Sequence, residues 1–360
     1  MSRDISWRAW PGAPMALASA ALFGASTPLA KLLIGGGVDP WLLAGLLYLG
    51  SGLGLGAAQA VRAGLGLPRA EAPLRRGDLG WLALVVLAGG VAGPLLLMIG
   101  LSLTPASTAA LLLNVEGLAT MVIAWLAFRE NVDRRLLLGA AAILGGALVL
   151  SWQGGPGGIG LGALAVVGAC VCWGVDNNLT RKLSSADPVQ IAAIKGLAAG
   201  VVNLALALAH GAHLPGLPAL GAAATIGFLG YGVSLVLFVL ALRHLGTART
   251  GAYFSTAPFL GASLALILFR EPVTPALVAA ATLMGLGVWL HLTEQHAHEH
   301  VHEPLEHEHR HSHDAHHRHD HGPDDPAGEP HAHRHRNAPL RHTHPHYPDL
   351  HHRHGHGDAG

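Results

Sequence analysis

Phe128-Arg129-Glu130 closes one long apolar run of this chain, and Phe269-Arg270-Glu271 closes another, 141 positions further on. Sliding residues 79–150 forward by the same 141 positions lands Leu101 on Leu242, Ala110 on Gly251, Val132 on Val273 and Gly146 on Gly287 without a gap. The preceding stretch repeats less tightly: Phe23-Gly24 falls near Trp173-Gly174, Lys31 near Arg181, and Asp39-Pro40 near Asp187-Pro188. The chain therefore carries an internal duplication. Each copy holds five apolar stretches, and an odd number of membrane crossings turns the second copy upside down relative to the first. Inverted repeats of this kind are what secondary transporters use for alternating access.

Composition points the same way. Of 360 residues, 51% are hydrophobic and only 12% charged, and the mean hydropathy is +0.41 despite a very polar C-terminal segment. About 18 or more apolar residues are needed to cross a hydrocarbon core of about 30 Å. Ten stretches qualify, near 14–35, 40–60, 79–101, 105–127, 136–152, 160–180, 188–209, 217–242, 247–269 and 274–293. The expected fold is all-α: a ten-helix, five-plus-five inverted-repeat bundle followed by a disordered tail. The boundaries are an N-terminal segment 1–13, repeats 14–152 and 153–293, and a tail 294–360. The run Met15–Ala25 resembles a signal-peptide core, but apolar character continues through Leu33 and the repeat needs a partner for the sixth span, so it is read as an uncleaved helix. Cys170 and Cys172 stand two apart on one helix, about 200° around its axis, which argues against a mutual disulfide.

Arginine and lysine sort to one side. With the N-terminus inside, Arg3, Arg8, Arg62, Arg69, Arg75, Arg76, Arg129, Arg134, Arg135, Arg181, Lys182, Arg243 and Arg249 are all cytoplasmic, while Arg270 falls outside and Lys31 near a helix end. The positive-inside rule then expects a multi-pass protein of the cytoplasmic (inner) membrane with both termini in the cytoplasm.

Several motifs, in this order and spacing, carry a family resemblance over residues 10–293. They are Phe23-Gly24-Ala25-Ser26-Thr27-Pro28 with Lys31 behind it, Leu103-Thr104-Pro105-Ala106-Ser107-Thr108-Ala109, and Phe128-Arg129-Glu130 followed by Gly139 and Gly145-Gly146. The second half adds Trp173-Gly174, Ala257-Pro258 and Phe269-Arg270-Glu271-Pro272. The chain resembles the drug/metabolite transporter superfamily, in particular proteins of two EamA-type domains. The resemblance implies a ten-helix carrier that exports amino acids, nucleobases or other small metabolites, often coupled to protons. One departure stands out: where the ninth span has Pro258, the fourth reads Asn114-Val115-Glu116-Gly117.

Charged side chains at mid-bilayer are costly and are retained where they face a cavity or a partner. Glu116, near the centre of the fourth span and flanked by Asn114 and Thr120, reads as a proton-carrying or cation-binding carboxylate, or as packing glue between helices. The sixth span offers Asp176 and Asn177, which either contact substrate or belong to a helix end snorkelling with Arg181 and Lys182. Ser26, Thr27 and Lys31 are their counterparts in the first span, and matching polar interruptions in both halves point to a shared site. Lys195 must be paired or reach water. Tyr231 and Tyr253 either present hydroxyls to the path or sit in an interface belt. The expected substrate and coupling residues are thus Glu116, Asn114, Asp176, Asn177, Lys31, Lys195, Tyr231 and Tyr253.

After Leu292 the character changes. Residues 294–360 hold 22 of the 26 histidines, with twelve acids and six arginines. Alternating tracts set His296, His298, His300, His302, then His307, His309, His311, His313, then His331, His333 and His335 as candidate metal ligands. Imidazole suits zinc, nickel, copper and cobalt, so the tail is expected to bind a divalent transition metal, although no cofactor is required for transport. A pH-responsive or incidental tail is the competing reading. Expected partners are a small-molecule substrate, a proton or other coupling ion and the lipid bilayer, with a homodimer as a candidate assembly and no nucleic acid. Two functions compete: a proton-coupled exporter of a small polar metabolite with a regulatory tail, and an exporter of a transition metal or its chelate fed by that tail. A membrane-anchored metal reservoir would need only one helix. No nucleophile–base constellation or phosphate-cradling loop suggests an enzyme.

Overall fold

The computed structural model describes residues 12–66, 74, 76–128, 134–152, 159–180, 183, 187–245 and 247–293, with the side chains of 76, 128, 188, 242–244 and 247–249 outside that description, and the backbone of four short tail stretches. Ten helices are long and apolar enough to cross a membrane: Gly12–Gly35, Pro40–Gly64, Leu79–Leu103, Ala106–Ala127, Arg134–Ser151, Leu161–Thr180, Val189–Ala209, Leu217–Ala241, Thr250–Phe269 and Pro275–Leu292. They fall on the ten expected crossings. Local chemistry starts equivalent helices alike. In α2 (Pro40–Gly64) the Asp39 carboxylate accepts from Leu42 N at 2.9 Å, and in α9 (Pro188–Ala209) Asp187 accepts from Val189 N at 2.8 Å. Each proline occupies the first turn, where its missing N–H costs nothing.

Four spans are not simple α-helices, and they match in pairs. The third comprises α3 (Leu79–Val85), a π-helical segment Val86–Ala92 and α4 (Gly93–Leu103); the eighth comprises α10 (Leu217–Gly227), a π-helical segment Phe228–Val233 and α11 (Ser234–Leu245). The fourth breaks at Leu113-Asn114 between α5 (Ala106–Leu112) and α6 (Val115–Phe128); the ninth breaks at Ser255-Thr256 between α12 (Thr247–Phe254) and α13 (Ala257–Phe269). The 141-residue shift carries each irregularity onto its counterpart, Gly89 onto Gly230 and Asn114 onto Ser255. Pro258 at the start of α13 is therefore not what breaks these spans, since the fourth breaks at the same place without one. The remaining spans are α1 (Gly12–Gly35), α7 (Arg134–Ser151), α8 (Leu161–Thr180) and α14 (Pro275–Leu292).

Packing between equivalent helices shows the inversion. Along α2 and α9, Gly45 lies against Leu204, Leu49 against Gly200 and Gly52 against Gly196, so rising numbers on one meet falling numbers on the other. The same holds for α7 and α14, where Gly139 meets Gly287 and Gly146 meets Ala280. Equivalent helices run antiparallel, so the two halves are inverted. A methyl on Gly196 would stand 2.8 Å from Gly52 Cα, which explains why glycines line this seam: without a hydrophobic drive in lipid, close backbone approach is what holds helices together.

Two bodies flank these antiparallel pairs. In one, α1 packs on α11 and α13; in the other, α8 packs on α4 and α6. Each body thus draws its central helix from the opposite repeat. In the first body Ser19 Oγ donates to Ser234 O at 2.7 Å and Ser234 Oγ to Ser19 O at 3.0 Å. Large apolar side chains such as Leu126, Leu148, Leu217 and Ile267 face outward, while Ser26, Thr27, Ser51, Asp176 and Asn203 are buried. That is the distribution expected when lipid is the solvent. In the tail, β1 (His296–His302) pairs antiparallel with β4 (Leu340–His346), and β2 (Glu306–His311) with β3 (His331–Arg336).

Candidate functional site: charges and rings between the repeats

Asp176 and Lys195 form an ion pair between the sixth and seventh spans, with side chains 7% and 18% exposed. Thr180, one helical turn after Asp176, donates its hydroxyl to the other carboxylate oxygen at 3.3 Å. The carboxylate lies directly against Gly89, where any Cβ would collide with it. The π-segment around Gly89 loosens the regular carbonyl ladder, and its carbonyls accept side-chain donors from three other spans. Tyr48 Oη donates to Gly89 O at 2.8 Å, Trp173 Nε1 to the same oxygen at 3.0 Å, and Asn203 Nδ2 to Gly90 O at 3.1 Å.

Glu116 occupies the first turn of α6, immediately after the break in the fourth span. It turns toward the sixth span, where Asn177 Nδ2 donates to its Oε1 at 3.1 Å and to Thr120 Oγ1 at 3.2 Å. Asn177 is exposed even though it makes these bonds, so this part of the cluster borders open space rather than packed protein. Asp176 and Lys195 both act electrostatically on Glu116. Next door, Asn178 Nδ2 donates to Thr120 O at 3.0 Å and Gly174 O at 2.8 Å, and its buried Oδ1 has no partner among the described residues.

Aromatic rings form the facing wall. Tyr231, in the π-segment of the eighth span, lies 5.5 Å from Tyr48 and 5.9 Å from Phe23, ring centre to ring centre; Phe23 lies tilted against Phe254 at 5.4 Å, and Phe254 meets Phe238 edge to face at 4.9 Å. Tyr231 also lies near Ser26 and feels the Glu116 charge. The backbone geometry is two-fold. Gly230 abuts Ser26 as Gly89 abuts Asp176, and the repeat places Ser26 on Asp176 and Gly230 on Gly89. The chemistry is one-sided: acids and the amine come from the fourth, sixth and seventh spans, and most rings from the first, eighth and ninth.

Of the eight expected residues, the structure brings together Glu116, Asp176, Asn177, Lys195 and Tyr231. Lys31 and Asn114 are placed elsewhere, and each terminates a helix. Lys31 Nζ donates to Leu101 O and to Thr104 O, the latter at 3.1 Å, at the end of α4. Asn114 is buried against Met284 and its side chain donates to Leu111 O at 2.8 Å, adding to the bond its own backbone N–H makes to that carbonyl at 3.1 Å across the break. Cys170 Sγ contacts the next carbonyl, Leu112 O, at 3.6 Å, and both cysteines are free. Near Tyr253 it is Phe254 that joins the ring wall. The sequence alone assigns no site role to Tyr48, Trp173, Phe23 or Gly89: Phe23 and Trp173 stand there only as matching residues of the two repeats, Gly89 as a packing glycine. A lone phenol in an apolar helix is the only signal Tyr48 gives. The candidate tail ligands, along with Arg129, Arg181 and Lys182, lie outside the described side chains. Among the described residues, no three of His, Cys, Asp and Glu are grouped to hold a metal ion.

Known proteins are similar to this chain in sequence and in fold. A protein named only as an uncharacterized transporter, from Methanothermobacter thermautotrophicus, is 32% identical over 228 residues, covering 61% of this chain; the chain spans 66% of that relative's own length. A crystal structure 21% identical in sequence superposes with a TM-score of 0.56, covering 78% of this chain and 95% of the other, and supports the fold. The EamA-like transporter family matches twice, over residues 10–152 and again over 160–293. With one match on each inverted repeat and a polar cluster held between them, this chain belongs to the EamA-like transporter family and is a multi-pass membrane transporter.

Proposed function

We propose that the protein exports a small polar metabolite of the amino-acid or drug/metabolite class, driven by proton exchange at Glu116. The observation that carries this reading is a carboxylate at mid-span whose side-chain hydrogen-bond donor among the described residues is Asn177, beside an ion pair and opposite a wall of rings. Lys195 and Asp176 would meet opposite charges on the cargo, and Tyr48, Tyr231, Phe23 and Phe254 would take its less polar part. A membrane carboxylate outside the ion pair suits the exchange of a proton for a cargo group, because occupancy by one excludes the other. The arginine bias favours an inner-membrane protein with cytoplasmic termini. The tail would bind Zn, Ni, Co or Cu and tune activity.

The test is Glu116→Gln in proteoliposomes carrying a pH-sensitive dye and screened with a panel of metabolites. A cargo that moves protons with the parent chain should move none with the variant. Full retained coupling would make this carboxylate structural. Export of a transition metal is the second reading, favoured by the histidine tracts. It needs ligands beyond the described residues, and it predicts that removing residues 294–360 abolishes nickel, cobalt or zinc tolerance in cells while metabolite export is unchanged.

A further inference from the structure

Glu271, from the second copy of the Phe-Arg-Glu motif, and Lys31 have no part in the central cluster, yet they converge at one end of the bundle. Glu271 accepts hydrogen bonds from Ala106 N at 2.8 Å, Ser107 N at 3.0 Å and the Ser107 hydroxyl. Lys31 donates to Leu101 O and Thr104 O. Both grip one hairpin, the turn joining the third and fourth spans. The acid holds the N-terminal end of α5 and the amine the C-terminal end of α4, the signs that helix ends favour. The two side chains also attract each other. Between them in sequence space stands a strained residue. Arg270 has φ 51° and ψ 38°, a left-handed conformation that a non-glycine residue adopts at a cost of about 1–2 kcal/mol per residue. That turn ends α13 and is followed at once by Glu271, whose carboxylate reaches the hairpin.

Lys31 and Glu271 belong to the body of the first, eighth and ninth spans; the hairpin belongs to the body of the third, fourth and sixth. At this end the two bodies touch, with α5 along α13 and α1 against α4 and α5. The duplication calls for mirror contacts at the opposite end, α12 along α6 and α8 against α11 and α12. Among the described residues none of those pairs packs comparably. Exposed Asn177, beside Glu116, lies toward that less packed end.

We propose that Lys31 and Glu271 are a latch that shuts this end of the transport path, and that the conformation described is closed here and open at the opposite end. Transport then requires the carboxylate and the amine to release the hairpin as the two bodies rock about the α2–α9 and α7–α14 pairs. The proposal rests on alternating access but on no particular cargo, so it can be tested without one.

The experiment uses the full chain with Cys170→Ala and Cys172→Ala and a single reporter, Asn177→Cys, in membrane vesicles of both orientations. An impermeant maleimide is applied from either side. With the latch intact the reporter should label from the opposite side and at least about tenfold more slowly from the latched side. Lys31→Gln with Glu271→Gln should raise latched-side labelling about tenfold or more, whereas Lys31→Arg keeps it near the parent rate. Equal labelling from both sides in the parent, or unchanged sidedness in a double variant whose melting profile shows it folded, overturns the proposal. Should the double variant not fold, Ser107→Cys and Glu271→Cys bridged by a short impermeant bis-methanethiosulfonate, applied from the latched side only, decide. The bridged chain must still label from the opposite side, and labelling from the latched side would refute the latch.

Discussion

Replacing Lys195 by glutamine removes the counter-ion of Asp176. The two side chains are 18% and 7% exposed, so the pair is largely withdrawn from solvent. Breaking a buried pair at one partner costs about 3–5 kcal/mol. Lys195 keeps some access to water and Thr180 remains as a donor at 3.3 Å, which sets the expectation at the lower end, about 3 kcal/mol. Asp176→Asn should cost a similar amount, because it strands the ammonium. The double variant leaves neither charge and should cost less than the sum of the singles by about 1.5 kcal/mol or more, within the range of coupled neighbours. Thermal unfolding of the parent, both singles and the double in one detergent completes the cycle. At about 2–4 °C per kcal/mol, each single should melt about 6–12 °C lower. If the two single effects simply add in the double, within about 0.5 kcal/mol, the charges are not coupled and the reading of this pair is wrong.

Other consequences follow from particular contacts. Gly89→Val forces a side chain into the Asp176 carboxylate and should lower stability by about 1–3 kcal/mol and abolish transport, read by melting and by flux in proteoliposomes. Asn114→Ala leaves the Leu111 carbonyl short of its side-chain donor at a buried break and should cost about 1 kcal/mol with cargo affinity unchanged, which would separate a helix-ending role from a substrate contact. Removing residues 294–360 should eliminate nickel binding measured by calorimetry while the melting temperature of the helical part stays within about 1 °C, since surface segments outside a packed core contribute little to stability.

Much of the architecture was legible in the sequence because hydrophobic length and an ungapped duplication are local or periodic signals. The ten crossings, their odd number per copy and the Asp-Pro helix starts at Asp39 and Asp187 could be read without coordinates. The membrane carboxylates were legible too, since a charge in an apolar run is conspicuous whatever surrounds it. Lys31 misled for the same reason: its charge is visible in sequence, but the carbonyls it satisfies come from residues 101 and 104, seventy positions away. Glu271 was noticed only as a marker of the repeat. Its partners, Ala106 and Ser107, lie on another span.

The sequence by itself determined that the chain crosses a membrane ten times in two inverted copies, because lipid admits only helices with their backbone groups satisfied and those need long apolar runs. Only the tertiary structure decided which polar groups meet. The π-segments and broken helices open backbone carbonyls to side chains from other spans. Whether Asp176 finds Lys195, or Lys31 finds a hairpin, depends on how helices from opposite repeats are interleaved, a three-dimensional property that no spacing along the chain encodes.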